Sequence, residues 1–139
     1  SYLALIILNA GFNLAFSVWL LSGFFASIPV EIEEAALIDG CTRLQALRKV
    51  TIPIALPGLV TAVIFTFVAA WNEFTIALTI MSSVDKKPIP VGITQFIGQY
   101  DIAWEYLFSA TIIAIIPVVI LFISIEKYLV GGLTAGSVK

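Results

Sequence analysis

From Tyr2 to Ala26 the chain carries no charged side chain. Two further runs behave alike: Pro57 to Met81 holds a single charge, Glu73, and Leu107 to Ile125 holds none before Glu126-Lys127. About 20 mostly apolar residues cross roughly 30 Å of hydrocarbon as a helix. Each run has that length, is rich in Leu, Ile, Val, Phe and Ala, and lacks the alternating polar positions of a membrane β-barrel strand. Lipid offers no water to backbone N–H and C=O groups, so a spanning segment must satisfy them within itself as a helix. The sequence therefore predicts an all-α, polytopic membrane helical bundle, with three transmembrane helices at about 2–26, 57–81 and 107–125.

Composition agrees. The chain is 60% hydrophobic and 12% charged, against roughly 25% charged in a soluble domain. A net charge of -2, spread evenly, gives no sign of a nucleic-acid partner, and none is expected. One cysteine, Cys41, and no histidine exclude a disulfide framework and the common metal sites. No basic region precedes the apolar start at Ser1, so the opening run is not expected to be a secretory signal. The chain reads as the carboxyl-terminal part of a longer protein.

Arg43, Arg48 and Lys49 lie between the first two runs, and Lys127 and Lys139 follow the third. Only Lys86 and Lys87 lie between the second and third. The positive-inside tendency then predicts a cytoplasmic loop at about 27–56 and an external loop at about 82–106. Pro88, Pro90, Gly92 and Gly98 predict turns in the external loop, and Trp104 and Tyr106 suit an interfacial aromatic belt.

The 27–56 segment is the charged, breaker-rich island of the chain. Ser27 and Pro29 mark a helix start, and Glu31, Glu33 and Glu34 favour its amino-terminal end. Gly40 is placed for a left-handed stop. Thr42 with Gln45 predicts a capping box for a second short helix, with Leu44, Leu47 and Val50 on one stripe and Pro53 as its end. A helix–tight turn–helix outside the bilayer is expected. Ile32, Ala35, Ala36 and Asp39 share one face of the first helix, suited to insertion in a partner's groove. An ordinary connector packed on its own bundle is the alternative.

Glu34-Ala35-Ala36, then Gly40, then Val50-Thr51-Ile52-Pro53 resembles the cytoplasmic "EAA" loop of the membrane subunits of binding-protein-dependent ATP-binding-cassette (ABC) importers. Val50 and Ile52 stand where isoleucine and leucine are commonest, which keeps the apolar character. Trp71-Asn72-Glu73-Phe74 is similar to the signature of the carbohydrate-type subgroup, and Tyr128 to Lys139 to the tail of its maltose-transporter-type subunit. The resemblance implies a permease subunit of a sugar importer in a bacterial or archaeal plasma (inner) membrane. It implies docking on an ATPase subunit through Glu34, Ala35, Ala36, Asp39 and Gly40. It also implies a second permease subunit, an external solute-binding protein and three further helices ahead of this chain. The chain has no Gly-rich phosphate loop followed by Lys-Ser/Thr, so ATP and Mg are expected in the partner ATPase and no cofactor here.

Glu73, with Trp71 and Asn72, is the candidate for the translocation pathway or gate. At about 1.5 Å per residue it lies roughly 22 Å into a continuous second span, where an acid costs about 2.5–3.5 kcal/mol unless it faces protein or water. Its alternative role is a hydrogen-bond anchor between helices. Phe12, Phe16 and Trp19 read as lipid-facing or core residues, Asn9 and Asn13 as an interhelical contact, and Pro117 as a kink. An ion-driven secondary transporter or channel is the rival class, favouring ionisable groups at midplane and broken helices. A membrane-embedded enzyme needs a nucleophile–base pair, paired acids or a metal; with no histidine and one intramembrane acid, no catalytic residue is assigned.

Overall fold

The structure, a computed structural model, describes the backbone of residues 1–135 and the side chains of residues 1–126. The side chains of Lys127 and of the tail motif from Tyr128 onward, and all of residues 136–139, lie outside it. Seven α-helical elements follow in order among the described residues, α1 Tyr2–Ala26, α2 Val30–Ile38, α3 Arg43–Ile54, α4 Leu56–Trp71, α5 Thr75–Ile80, α6 Ile89–Ile93 and α7 Trp104–Ala135, with 3₁₀ turns at Val84–Lys86 and Thr94–Phe96. The described chain divides into two compact units, one of Ser1–Leu14 with Thr66–Ser124, the other of Ala15–Phe65 with residues 125–135.

α1 and the Trp104–Glu126 part of α7 are each long and apolar enough to cross a membrane. Neither has a buried residue in its most apolar stretch. Ile6 is 66% exposed, Phe12 72% and Ile112 65%; such surfaces are costly in water and at home in hydrocarbon or against further helices. Polar side chains in these helices bond backward within their own helix. Asn9 Nδ2 donates to the Leu5 carbonyl at 3.1 Å and Asn13 Nδ2 to the Asn9 carbonyl at 2.9 Å. The hydrogen bonds shown for Asn9 and Asn13 among the described residues thus run within α1, which satisfies these donors where water is absent.

The expected second span, 57–81, is not one helix. α4 is 16 residues long, rising about 24 Å, and ends at Trp71. A break at Asn72–Phe74 separates it from α5. Hydropathy averaged over the run conceals this break, because two polar residues among many apolar ones scarcely alter the mean.

In the Ala15–Phe65 unit, α2 and α3 pack together through small residues, Ala36 at 7% and Ala46 at 0% exposure. Pro53 does not end α3, contrary to expectation. The helix widens into a π turn over Leu47–Thr51 and then continues over Ile52–Ile54. A proline ring collides with the carbonyl four residues back in a regular α-helix; the wider turn ahead of Pro53 relieves that conflict. α3 and α4 then meet at 71° about Ala55, which is buried. α1 reaches α4 where the Phe16 and Phe65 rings meet edge-on at 5.7 Å. The Phe24 side chain lies directly over Gly58, so that a Cβ there would fall 2.6 Å from Cδ1 of the ring.

In the other unit, α7 starts at Trp104, three residues ahead of the expected 107. Its first turns carry stacked pairs, Phe96 with Tyr106 at 5.8 Å and Trp104 with Phe108 at 5.6 Å. α7 continues as one helix through Pro117.

Candidate functional site

Two places gather the residues singled out by sequence. The first is the α2–α3 turn. The backbone N–H of Cys41 donates to the Ala36 carbonyl at 3.0 Å and that of Gly40 to the Leu37 carbonyl at 3.0 Å. This is the Schellman closure, which places the residue after the cap in the left-handed region. Gly40 has φ +86° and is the positive-φ residue of the described chain. Thr42 then opens α3 with a full capping box: its N–H donates to Gln45 Oε1 at 2.9 Å, and the Gln45 N–H donates to Thr42 Oγ1 at 3.3 Å. Stop and start signals sit back to back, leaving the turn little freedom.

That rigid turn sorts the five proposed docking residues. Glu34, Ala35, Asp39 and Gly40 are exposed, whereas Ala36 is buried between α2 and α3. Ala36 is therefore a packing residue of the motif rather than part of its outer face. Also exposed on the outside are Ile38 at 86%, which helical spacing did not single out, and Leu44 of the predicted α3 stripe at 56%. The signal was available in their position: both flank the Gly40 turn, where neither helix has a partner to cover them.

The second place is the break after α4. Trp71 stacks on Phe67 at 5.5 Å with the rings 15° apart. Its Nε1 donates to the Ala114 carbonyl of α7 at 3.0 Å. Asn72 closes α4 by donating from Nδ2 to the Val68 carbonyl at 3.0 Å. Both line a cleft of about 320 Å³ with Pro90, Ile93, Thr111 and Val118. The cleft offers an aromatic edge, an amide and a hydroxyl on an otherwise apolar wall. Pro90, Ile93 and Thr111 were not legible as site residues, because α6 and α7 meet Trp71 only through the fold.

Glu73 is not among the residues of that cleft. Its carboxylate turns forward onto the start of α5, where Oε1 accepts from the Ile76 N–H at 2.6 Å and Oε2 from the Ala77 N–H at 2.8 Å. The three consecutive candidates thus divide: Trp71 and Asn72 face the cleft, and Glu73 serves the backbone.

The chain is 42% identical to a sulfoquinovosyl glycerol transport system permease protein of Agrobacterium fabrum, over all of this chain and 49% of that protein. It is 39% identical to a diacetylchitobiose uptake system permease protein of Streptomyces coelicolor, over 91% of this chain and 46% of that protein. It is 36% identical to a trehalose/maltose transport system permease protein of Thermococcus litoralis, over 100% of this chain and 50% of that protein. The chain spans about half the length of these relatives. This helical chain, residues 1–134 of which match the family described as binding-protein-dependent transport system inner membrane component, belongs to that family.

Proposed function

We propose that the chain is part of a permease subunit of an ATP-driven ABC importer for a sugar, in the inner membrane. The observation that carries the proposal is the Gly40-locked helix–turn–helix, set among apolar helices and bearing exposed Ile38 and Leu44. A rigid motif with uncovered apolar side chains and an acidic flank at Glu31, Glu33 and Glu34 is suited to a groove with basic walls. The occupant of that role is an ATPase subunit, which supplies ATP and Mg. Closure of the ATPase dimer moves the motif as a lever, and the membrane helices rock with it between inward-open and outward-open states.

The membrane arrangement proposed with it has three crossings: α1, the broken pair of α4 with α5, and α7. α3, with Arg43, Arg48 and Lys49, stays at the cytoplasmic surface, because three cations are costly in hydrocarbon. A second permease subunit and an external solute-binding protein complete the assembly. Sugars are the proposed cargo because the relatives' names speak of sulfoquinovosyl glycerol, diacetylchitobiose and trehalose or maltose. The Trp71–Asn72–Thr111 cleft supplies matching chemistry, an aromatic edge beside polar groups, and is proposed as part of the path.

The test is co-purification of the permease with its ATPase, followed by uptake of labelled saccharides into vesicles. Expected is saccharide uptake that requires ATP inside. Uptake driven by an ion gradient without ATP would assign the chain to the secondary transporters instead.

A further inference from the structure

We propose that Glu73 is a positioning residue, closing the break after Trp71 by acting as a helix cap from one place earlier in the chain than usual. Its importance for transport rests on the sugar path proposed above.

The cap position of α5 is held by Phe74, with φ -117° and ψ -46° and no side-chain acceptor. A cap side chain ordinarily accepts from the N–H of the second or third helical residue. In α5 those residues are Ile76 and Ala77, and both donate to Glu73, one to each carboxylate oxygen. Ala77 is fully buried, at 0% exposure, so its N–H has no water to turn to if the acceptor is lost. On the other side of the break, the Asn72 N–H donates to the Val68 carbonyl at 3.0 Å, and α4 closes in the ordinary way.

The two sides of the break are therefore held by different means. Trp71 is tied to Ala114 of α7, while the next helix is tied to Glu73. Two acceptor oxygens let the carboxylate give each donor a bond of its own. Glutamine keeps the length but has one acceptor oxygen, so in Glu73→Gln the two N–H groups must share it or one goes unmet. The acid in this apolar run thus acts through backbone geometry: it fixes where α5 starts and, with it, how Trp71 and Asn72 are presented to the cleft.

The experiment uses the assembled transporter in lipid vesicles and reads amide hydrogen exchange over 74–80 together with the KM and rate of saccharide uptake. In Glu73→Gln the Ile76 and Ala77 amides are expected to exchange about fivefold faster, as for loss of one cap, and uptake to fall. Adding Phe74→Asp to the same chain places an acceptor at the ordinary cap position. Expected is recovery of both slow exchange and uptake. If Glu73→Gln fails to assemble, rescue of assembly by Phe74→Asp supports the same role, and absence of rescue overturns it. Unchanged exchange in Glu73→Gln also overturns it. So does protection restored without uptake, which would give the carboxylate a direct part in transport. The path itself is read separately: Thr111→Val and Asn72→Leu with unaltered KM would remove the cleft from the path, whatever the exchange data say.

Discussion

The indole N–H of Trp71 donates to the backbone carbonyl of Ala114, 43 residues away in sequence, at 3.0 Å. Ala114 lies one residue after Ile113, whose carbonyl loses its regular helical donor because Pro117 has no N–H. The tryptophan thus meets α7 at a turn where the helix's own bonding is depleted. Stacking of the same ring on Phe67 holds it in place.

Trp71→Phe keeps the ring stack and removes the donor. Loss of one such bond is expected to lower stability by about 1 kcal/mol, read as an earlier thermal transition in detergent. An unchanged transition would mean that the bond adds nothing to the packing of α4 on α7.

Gly58→Ala places a methyl group against the Phe24 ring. Overpacking of this kind costs about 1–3 kcal/mol. Because the conflict involves Cβ and Cγ of Phe24 as well as Cδ1, and leucine keeps the first two, the double variant Gly58→Ala with Phe24→Leu is expected to recover little of that loss. Near-complete recovery would place the strain in the outer ring atoms instead.

Gly40→Val forces a β-branched residue to φ +86°, a strain of about 1–2 kcal/mol. Ile38→Asp leaves the turn intact and changes only an exposed apolar contact. Both are expected to insert normally in the membrane and to lose ATPase association, with an anchor loss of 2 kcal/mol or more, roughly thirtyfold in affinity. Lys86→Ala, on the proposed external side, should retain association. Wild-type ATPase binding in both turn variants would show that the motif is a connector.

Topology has a native probe in Cys41, the single cysteine of the chain, partly exposed beside the α2–α3 turn. A membrane-impermeant thiol reagent is expected to modify it only after cells are permeabilised. Ser83→Cys in a Cys41→Ser background should react in intact cells. Reversal of the two results would invert the proposed orientation and remove the docking role with it.

What the sequence determined by itself lies within a few residues along the chain. The apolar lengths of α1 and α7, the Gly40 stop and the Thr42–Gln45 cap depend on local sterics and bonds between near neighbours, so they are legible in the letters. The break at Asn72–Phe74 is local too, yet hydropathy hid it, because the competing acceptor is a side chain rather than a change in polarity. Tertiary structure alone decided the rest. Ala36 is buried because α3 folds back on α2, and Gly58 is required where Phe24 of α1 crosses α4. The cleft exists because α6 and α7 come up against Trp71. These relationships join residues far apart in sequence, where close packing and backbone hydrogen bonding, not periodicity, select the neighbour.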